Sequence, residues 1–423
     1  MNTTTISATL KKPIPDDFPD QPRKGQHGLP CTIPNVLYLL GHHGINVIYN
    51  VIRKLVEIFG GPIGRDTDLD SAFATIQSLA TQVGMSPVMV PTYLTTIAKA
   101  NKHNAVLDWI KSKPWDGVDR MPAFADTLKA KPDFPTQLKL AMIRKWARSA
   151  VAALSRPGFH ARGVLTLQGR QSIGKTQWVR RLITEVAMSD AYIRTGHHLD
   201  AGDKDSLTTA ISHWIVEMGE LDSSFKKDIA RLKGFITQAS DKVRRPYDRS
   251  DSAYPRQTVF CASVNEDSFL IDSTGNTRFW TIPVESIDYM HDVDMQLFWA
   301  QMLDEVSKDE PWHLTKEEEQ LLEAQNQGFV AVSLIRDAVL AKVNIEASPV
   351  SGKRMSASEV LKEIGIEHPS NQQARECGGI LSQILGDAKM VHGVKKWQVA
   401  FGPTKAATLA DIKDTIDDED IVF

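Results

Sequence analysis

The stretch Val164–Met188, VLTLQGRQSIGKTQWVRRLITEVAM, decides how the rest of the chain reads. VLTLQ is a short apolar run of strand length, and the KTQWVRRLITEVAM that follows spaces its apolar residues as a helix does. Between them Gly169-Arg-Gln-Ser-Ile-Gly174-Lys175-Thr176 matches G-x-x-x-x-G-K-[ST]. Each residue type has a reason. Glycines let the backbone curl so that successive N–H groups face one anion. The following helix adds the positive end of its dipole. A lysine reaches the terminal phosphates, and a hydroxyl helps hold Mg²⁺. The nucleotide-binding residues read from this loop are Gly169, Ser172, Ile173, Gly174, Lys175, Thr176 and Gln177, with ATP and Mg²⁺ as ligands.

Working outward, ISHWIVEMGELD (211–222) places Glu217 and Glu220 at and just past the end of a second apolar strand. In an open α/β sheet ligands bind beyond the carboxyl ends of the strands. One carboxylate would serve the metal together with Thr176, and the other would orient the attacking water. Glu217 is favoured for the metal side and Glu220 for the water; the spacing leaves that assignment open. QTVFCASVN (257–265) is a third such strand, ending in Asn265, which is either a γ-phosphate sensor or simply a good turn former. TRFWTIPV adds a fourth. Strands separated by helical stretches over 160–290 predict a mainly parallel α/β sheet.

Between the second and third strands, SDKVRRPYDRSDSAYPR gathers Lys242, Arg244, Arg245, Arg249 and Arg256 around Tyr247 and Tyr254. Cations could track phosphates and an aromatic could stack on a base. Asp241, Asp248 and Asp251 dilute that charge, so a solvated or subunit-contact loop is the competing reading. Net charge over the 423 residues is -3, so any nucleic-acid contact has to be local.

The flanks read differently. Residues 1–30 are polar and Pro-rich, a flexible leader without the apolar core of a signal peptide. Residues 31–135 read as a helical domain, including NVLYLLGHHG, YNVIRKLVEIFG, LDSAFATIQSLATQVG and VMVPTYLTTIAKAN. The core domain spans 136–295 and opens on an amphipathic helix (136–156) whose outer face carries Lys139, Arg144, Lys145, Arg148 and Arg156. Residues 296–402 begin with helices. From Ser356 they read helix, helix and short β-ribbon, the order of a winged-helix module. Residues 403–423 form an acidic tail. Cys31, Cys261 and Cys377 are too far apart for a zinc cluster or disulfide framework and fit a reducing cytoplasm. No apolar run reaches membrane-spanning length.

WDGVDR (115–120), GRQSIGKT, WIVEMGELD, LKGFITQASDKVRRPYDR and VNEDSFLIDSTGNTRFWTIPV together resemble the virulence-associated protein E family over roughly residues 30–290. These are phage and genomic-island replication proteins related to superfamily 3 helicases. The resemblance implies an AAA+-like P-loop ATPase core, ring formation as a hexamer, DNA as the track (single-stranded or forked) and the bacterial host cytoplasm. It makes Lys175 and Thr176 the Walker A pair, Glu220 the acidic-strand residue, Asn265 the sensor and Arg278 the arginine finger. The family pattern has two consecutive arginines where this chain has Thr277-Arg278, which leaves one basic group and the choice between finger and sensor roles open. The tail ending Asp417-Asp418-Glu419-Asp420-Ile421-Val422-Phe423 is similar to the tip of bacterial single-strand-binding proteins. It is either a docking peptide for a primase or host replication protein or a plain acidic end. Two functions follow from the sequence: an ATP-dependent DNA helicase in replication of a phage or mobile island, or a DNA-binding P-loop ATPase (origin-binding initiator, loader or defence ATPase) that does not unwind.

Overall fold

The computed structural model describes residues 13–25, 27–200, 202–219, 231–243, 252–265, 269–270, 276–329, 334–391 and 393–402. The chain divides into two compact units, Met1–Val330 and Ala331–Phe423.

The first unit begins with α1 (Ile33–His42), β1 (Asn46–Asn50), β2 (Leu55–Phe59), α2 (Leu69–Gln82), α3 (Val90–Ala100) and β3 (Lys102–His103). The sequence predicts a helical domain here. Instead β1 pairs antiparallel with β2 and parallel with β3. The segment YNVIRKLVEIFG is two strands and a turn. Val47, Ile48, Val56 and Ile58 are β-branched and sit in runs too short for a helix. At the turn the Asn50 side chain accepts from the Ile52 and Arg53 amides, and Lys54 takes a left-handed φ of 56°. Such local side-chain bonding ends regular structure. The helices themselves start where capping residues stand: the Asp68 side chain accepts from the Ser71 amide at the head of α2.

After α4 (Ala105–Lys111), α5 (Met121–Asp126), β4 (Leu128–Ala130) and α6 (Thr136–Ser155) comes the main sheet. Its strands are β5 (Val164–Gln168), β6 (Ile193–His197), β7 (Ile215–Gly219), β10 (Val259–Val264) and β11 (Phe279–Ile287). Helices α7 (Lys175–Arg180), α8 (Val186–Tyr192) and α9 (Lys204–Ala210) lie between them, as does a hairpin of β8 (Ser240–Val243) and β9 (Ser252–Pro255). Among the described residues the order is β4-β11-β5-β10-β7-β6, parallel except for β4. The chain is thus mixed α/β with several sheets.

Both sheet faces are covered, which is why the strands read as continuous apolar runs. Along β10, Val259 and Cys261 enter one buried cluster while Phe260, Ala262 and Val264 enter the other, the period of two that a strand imposes. Four buried tryptophans keep their ring N–H satisfied: Trp146 donates to the Phe260 carbonyl, Trp214 to Ala150, Trp299 to Leu182 and Trp178 to the Thr127 hydroxyl, each at 2.8 Å.

Helices α10 (Met295–Ser307) and α11 (Lys316–Gln327) belong to this unit, moving the expected boundary at 295/296 to 330/331. They explain a second departure. Lys139, Lys145 and Arg148 of α6 do not form a solvent face; all are buried. Glu305 takes Arg144 and Arg148 at 2.6 Å each, Glu318 takes Lys145, and Lys139 donates to the Ala125 and Leu128 carbonyls. Buried charges need partners, and these carboxylates stand more than 150 residues away in sequence. The 175–188 stretch, expected as one helix, breaks after Arg180 and restarts at Val186.

The second unit contains α12 (Leu334–Lys342), α13 (Ser348–Ser351), β12 (Lys353–Met355), α14 (Ala357–Glu363), α15 (Asn371–Leu385), β13 (Lys389–Val391) and β14 (Val394–Val399). Capping boxes Ser356/Glu359 and Ser370/Gln373 start α14 and α15. The sheet order is β12-β14-β13, antiparallel, closed over Val360, Leu361, Cys377, Leu381, Trp397 and Val399.

Candidate functional site

Strand β5 is buried along its whole length and ends at Gln168. There the chain turns sharply into α7. The Gly169 amide donates to the Val264 carbonyl at 3.1 Å, tying the loop to the end of β10. Ser172 (φ 65°) and Gly174 (φ 96°) take left-handed backbone conformations, and these turn the loop back on itself. A Cβ at Gly169 would stand 2.4 Å from the Val284 carbonyl oxygen, and one at Gly174 2.3 Å from the Tyr289 ring. Neither position has room for a side chain. Ile173 packs its side chain against the main core, so only its backbone serves the loop.

Lys175 opens α7 and is 7% exposed. Its ammonium donates to the Gly169 carbonyl at 2.6 Å, the Arg170 carbonyl at 2.8 Å and the Asn265 side-chain oxygen at 2.8 Å. Burial pushes the lysine below its ordinary pKa, and the Glu217 carboxylate works against that shift. A charge so placed is held ready for an anion entering the loop. Next to it the Thr176 hydroxyl donates to Glu217 Oε1 at 2.9 Å. Glu217 is fully buried; it also accepts from the Ser263 hydroxyl and from the Gly196 amide at 3.1 Å.

The strand order produces this meeting. β10 lies between β5 and β7, with Val264 opposite Gln168 on one side and Ser263 opposite Gly219 on the other. The polar residues of β10 therefore stand between the lysine and the acid. Together these groups wall a cleft of about 380 Å³, with Gln171, Ser172, Gln177, Gly219 and Tyr289 completing it. That volume lies within the range of small-molecule clefts. Magnesium prefers hard oxygen ligands and keeps several waters, and an adjacent hydroxyl and carboxylate fit it. Among the described residues no cluster of three or more His, Cys, Asp or Glu offers an alternative cation site.

Of the sequence-predicted residues, the loop, Glu217 and Asn265 come together; Glu220 lies outside the described residues. Arg278 does not join them. It closes a single 3-10 turn, Asn276–Arg278, just before β11. Phe279 pairs with Val164, the first residue of β5, whereas the loop follows the last. At ~3.3 Å per residue the two ends are roughly 17 Å apart. The arginine stands at the opposite edge of its own sheet. Its turn is rigid: Asn326 donates to the Asn276 and Phe279 carbonyls at 3.0 Å, and Trp280 to the Thr277 carbonyl at 3.0 Å. The buried Arg278 Nε finds no hydrogen-bond partner among the described residues.

In the basic segment, Lys242 lies on β8 opposite Ala253. Arg244, Arg245, Tyr247 and Arg249 lie outside the described residues. Arg256 is not part of a DNA-facing patch. Arg256 is 1% exposed, holds Asp241 at 2.5 and 2.8 Å and lies over the Phe235 ring at 4.5 Å; Tyr254 packs against the N-terminal core. They fasten the base of the hairpin. Sequence reading missed Ser263 and Tyr289. A serine inside the apolar run VFCASV was the available signal for the first; nothing local marked the second.

The sequence profile of the virulence-associated protein E-like domain matches residues 110–331, slightly more than half of the chain and all of the cleft. The chain belongs to the virulence-associated protein E-like family. No curated protein matches this family member. Among solved structures, it is similar to an apo structure of the NrS-1 C-terminal region (305–718). That pair shares 14% identity over 86% of this chain and 98% of that chain, with a TM-score of 0.37. An A-form apo structure of the same region gives 15% identity over 86% and 99%, with a TM-score of 0.38. The virulence-associated protein E-like match leaves residues 1–109 and 332–423 outside it. Among the described residues no helix is long and apolar enough to cross a membrane.

Proposed function

We propose that this protein is a magnesium-dependent ATP hydrolase with an AAA+-like P-loop core. In this reading it works as a ring-forming, superfamily 3-like DNA helicase in the replication of a phage or mobile genetic island. The observation that carries the reading is the pair of contacts Lys175–Asn265 and Thr176–Glu217 on one sheet edge. Strand order supports it, because the loop strand and the acid strand are separated by a strand ending in a polar sensor.

The roles follow from chemistry. Loop amides and the first turn of α7 hold the phosphates, and Lys175 exchanges its carbonyl and amide partners for the β- and γ-oxygens. Thr176 and Glu217 hold the magnesium ion, which neutralises charge on the phosphates when bound. Asn265 orients the γ-phosphate or the lytic water, and Glu220 draws the proton from that water. Arg278, on the far edge of its own sheet, serves the cleft of a neighbouring copy, where a fixed positive charge stabilises the transferring phosphoryl. Lys242, Arg244, Arg245, Tyr247 and Arg249 line the DNA path.

The deciding experiment uses a duplex with one single-stranded tail, wild-type protein and Lys175→Ala. Displacement of the strand by wild type alone supports the helicase. Hydrolysis with DNA binding but no displacement moves the protein to the second reading, an origin-binding or loading ATPase, which the winged-helix-like order of the C-terminal unit favours.

A further inference from the structure

The C-terminal unit carries a surface that the ATPase reading does not use. On α15, Asn371, Arg375, Gly379 and Ser382 are exposed, while Cys377, Ile380 and Leu381 are buried. At ~100° per residue those four positions fall within roughly 80° of one another, on a single face. Their types, amide, guanidinium and hydroxyl, are those that bond base edges and phosphates in a groove.

Gly379 is the informative member. Glycine is the poorest helix former after proline, so a glycine in mid-helix calls for a reason. Its neighbour Gly378 has one: a Cβ there would meet the Trp397 ring at 3.3 Å. Around Gly379 nothing lies within 4 Å of where a Cβ would be. No internal packing asks for the missing side chain. A bare backbone on an exposed helix face permits close approach of something from outside.

The ribbon of β13 and β14 supplies a second, independent feature. Its turn passes through Gly393 at φ 78°. Beside the turn, Met390 is 64% and Val394 48% exposed, flanked by exposed Lys389 and Lys395. Lysines paired with apolar wedges suit a groove edge. Among the described residues Arg375, Lys389 and Lys395 make no salt bridge, in contrast to Lys396, which holds Glu359 at 3.1 Å.

We propose that this unit binds B-form duplex DNA, with α15 laid in the major groove by its Asn371–Ser382 face and the 389–395 ribbon against the adjoining backbone and minor groove. The helix-plus-ribbon order over an antiparallel β12-β14-β13 sheet presents both elements from one small core. An α-helix fits the major groove of B-DNA, whereas that of duplex RNA is too narrow. The site is independent of the ATPase cleft.

The test uses the full chain without nucleotide and a labelled 25-base-pair mixed-sequence DNA duplex. The matching single strand and RNA duplex are the controls. Arg375→Ala with Lys395→Ala is expected to weaken duplex binding about tenfold or more and to lower the salt slope by about two. Gly379→Gln is expected to weaken duplex binding similarly while leaving the Tm unchanged or higher, an outcome that mere damage to the fold does not give. Single-strand affinity and ATP turnover should stay at wild-type values. Unchanged duplex affinity in both variants overturns the proposal, as does an equal loss on the single strand or the RNA duplex.

Discussion

The two edges of the parallel sheet are built from the same strands and behave in opposite ways. At the carboxyl edge, Lys175 bonds to Asn265 while Thr176 and Ser263 bond to Glu217, so both buried charges have partners inside the chain. At the amino edge, a turn pinned by Asn326 and Trp280 presents Arg278, whose Nε has no such answer among the described residues. A rigid turn that leaves a buried Nε without a partner is costly. In the proposed ring, one edge is a pocket and the other is the half that completes a neighbouring copy's.

The largest effect is expected where the halves meet. Arg278→Ala should lower ATP turnover by about 10³-fold or more with nucleotide binding kept. Mixing it with Lys175→Ala subunits should restore part of the rate, because some interfaces then join an intact cleft to an intact arginine. A normal rate, or no rescue on mixing, would place Arg278 outside the reaction. Next, Asn265→Ala should reduce kcat by about 10²-fold with little change in KM, measured by steady-state phosphate release. An unaltered kcat would return Asn265 to the role of a turn residue.

Below these come effects on the scaffold. Glu305→Ala leaves buried Arg148 with only the half-exposed Glu310 carboxylate at 3.3 Å, and denaturant titration should show a loss of up to about 3 kcal/mol. Burial pushes the Glu305 carboxyl up, but its bonds to Arg144 and Arg148 outweigh that and hold it below the ordinary value. A depressed carboxylate stabilises the fold above its unfolded value of about 4.3 and loses that contribution as pH falls through the lower folded value. Glu305→Gln should therefore flatten the loss of stability below about pH 4; an acid limb identical to wild type would contradict it. The smallest effect contrasts two glycines. Gly174→Ala meets the Tyr289 ring at a left-handed φ and should cost about 1–3 kcal/mol, whereas Gly379→Ala should gain up to about 1 kcal/mol.

Much of the cleft was legible because its chemistry is local: a strand, a glycine loop and a helix start stand side by side in the sequence. Asn265 could be placed from a strand end alone; Glu217, expected at such an end, lies in the middle of β7. What stayed hidden was long-range. The partners of Lys145 and Arg148 are supplied by α11 and α10, so a helix with buried cations read as one with a charged outer face. YNVIRKLVEIFG carries apolar spacings compatible with either period, and the Asn50 turn between two short β-branched runs settles it as two strands. Tyr289 reaches the loop only because β11 lies beside β5. The order of elements from Ser356, with its two capping boxes, matches the expectation of helix, helix and ribbon.

The position of β5 also has a consequence for the protein's birth. Both of its sheet neighbours, β10 and β11, begin more than 90 residues downstream. At ~5–20 residues per second, the ribosome needs roughly 5–20 s after making Gln168 to deliver the first of them. Throughout that interval an apolar strand waits with both hydrogen-bonding edges open, a template for unwanted pairing. Nascent chains stopped between residues 170 and 258 should therefore be the least soluble of any truncation series, and the ones most in need of a chaperone.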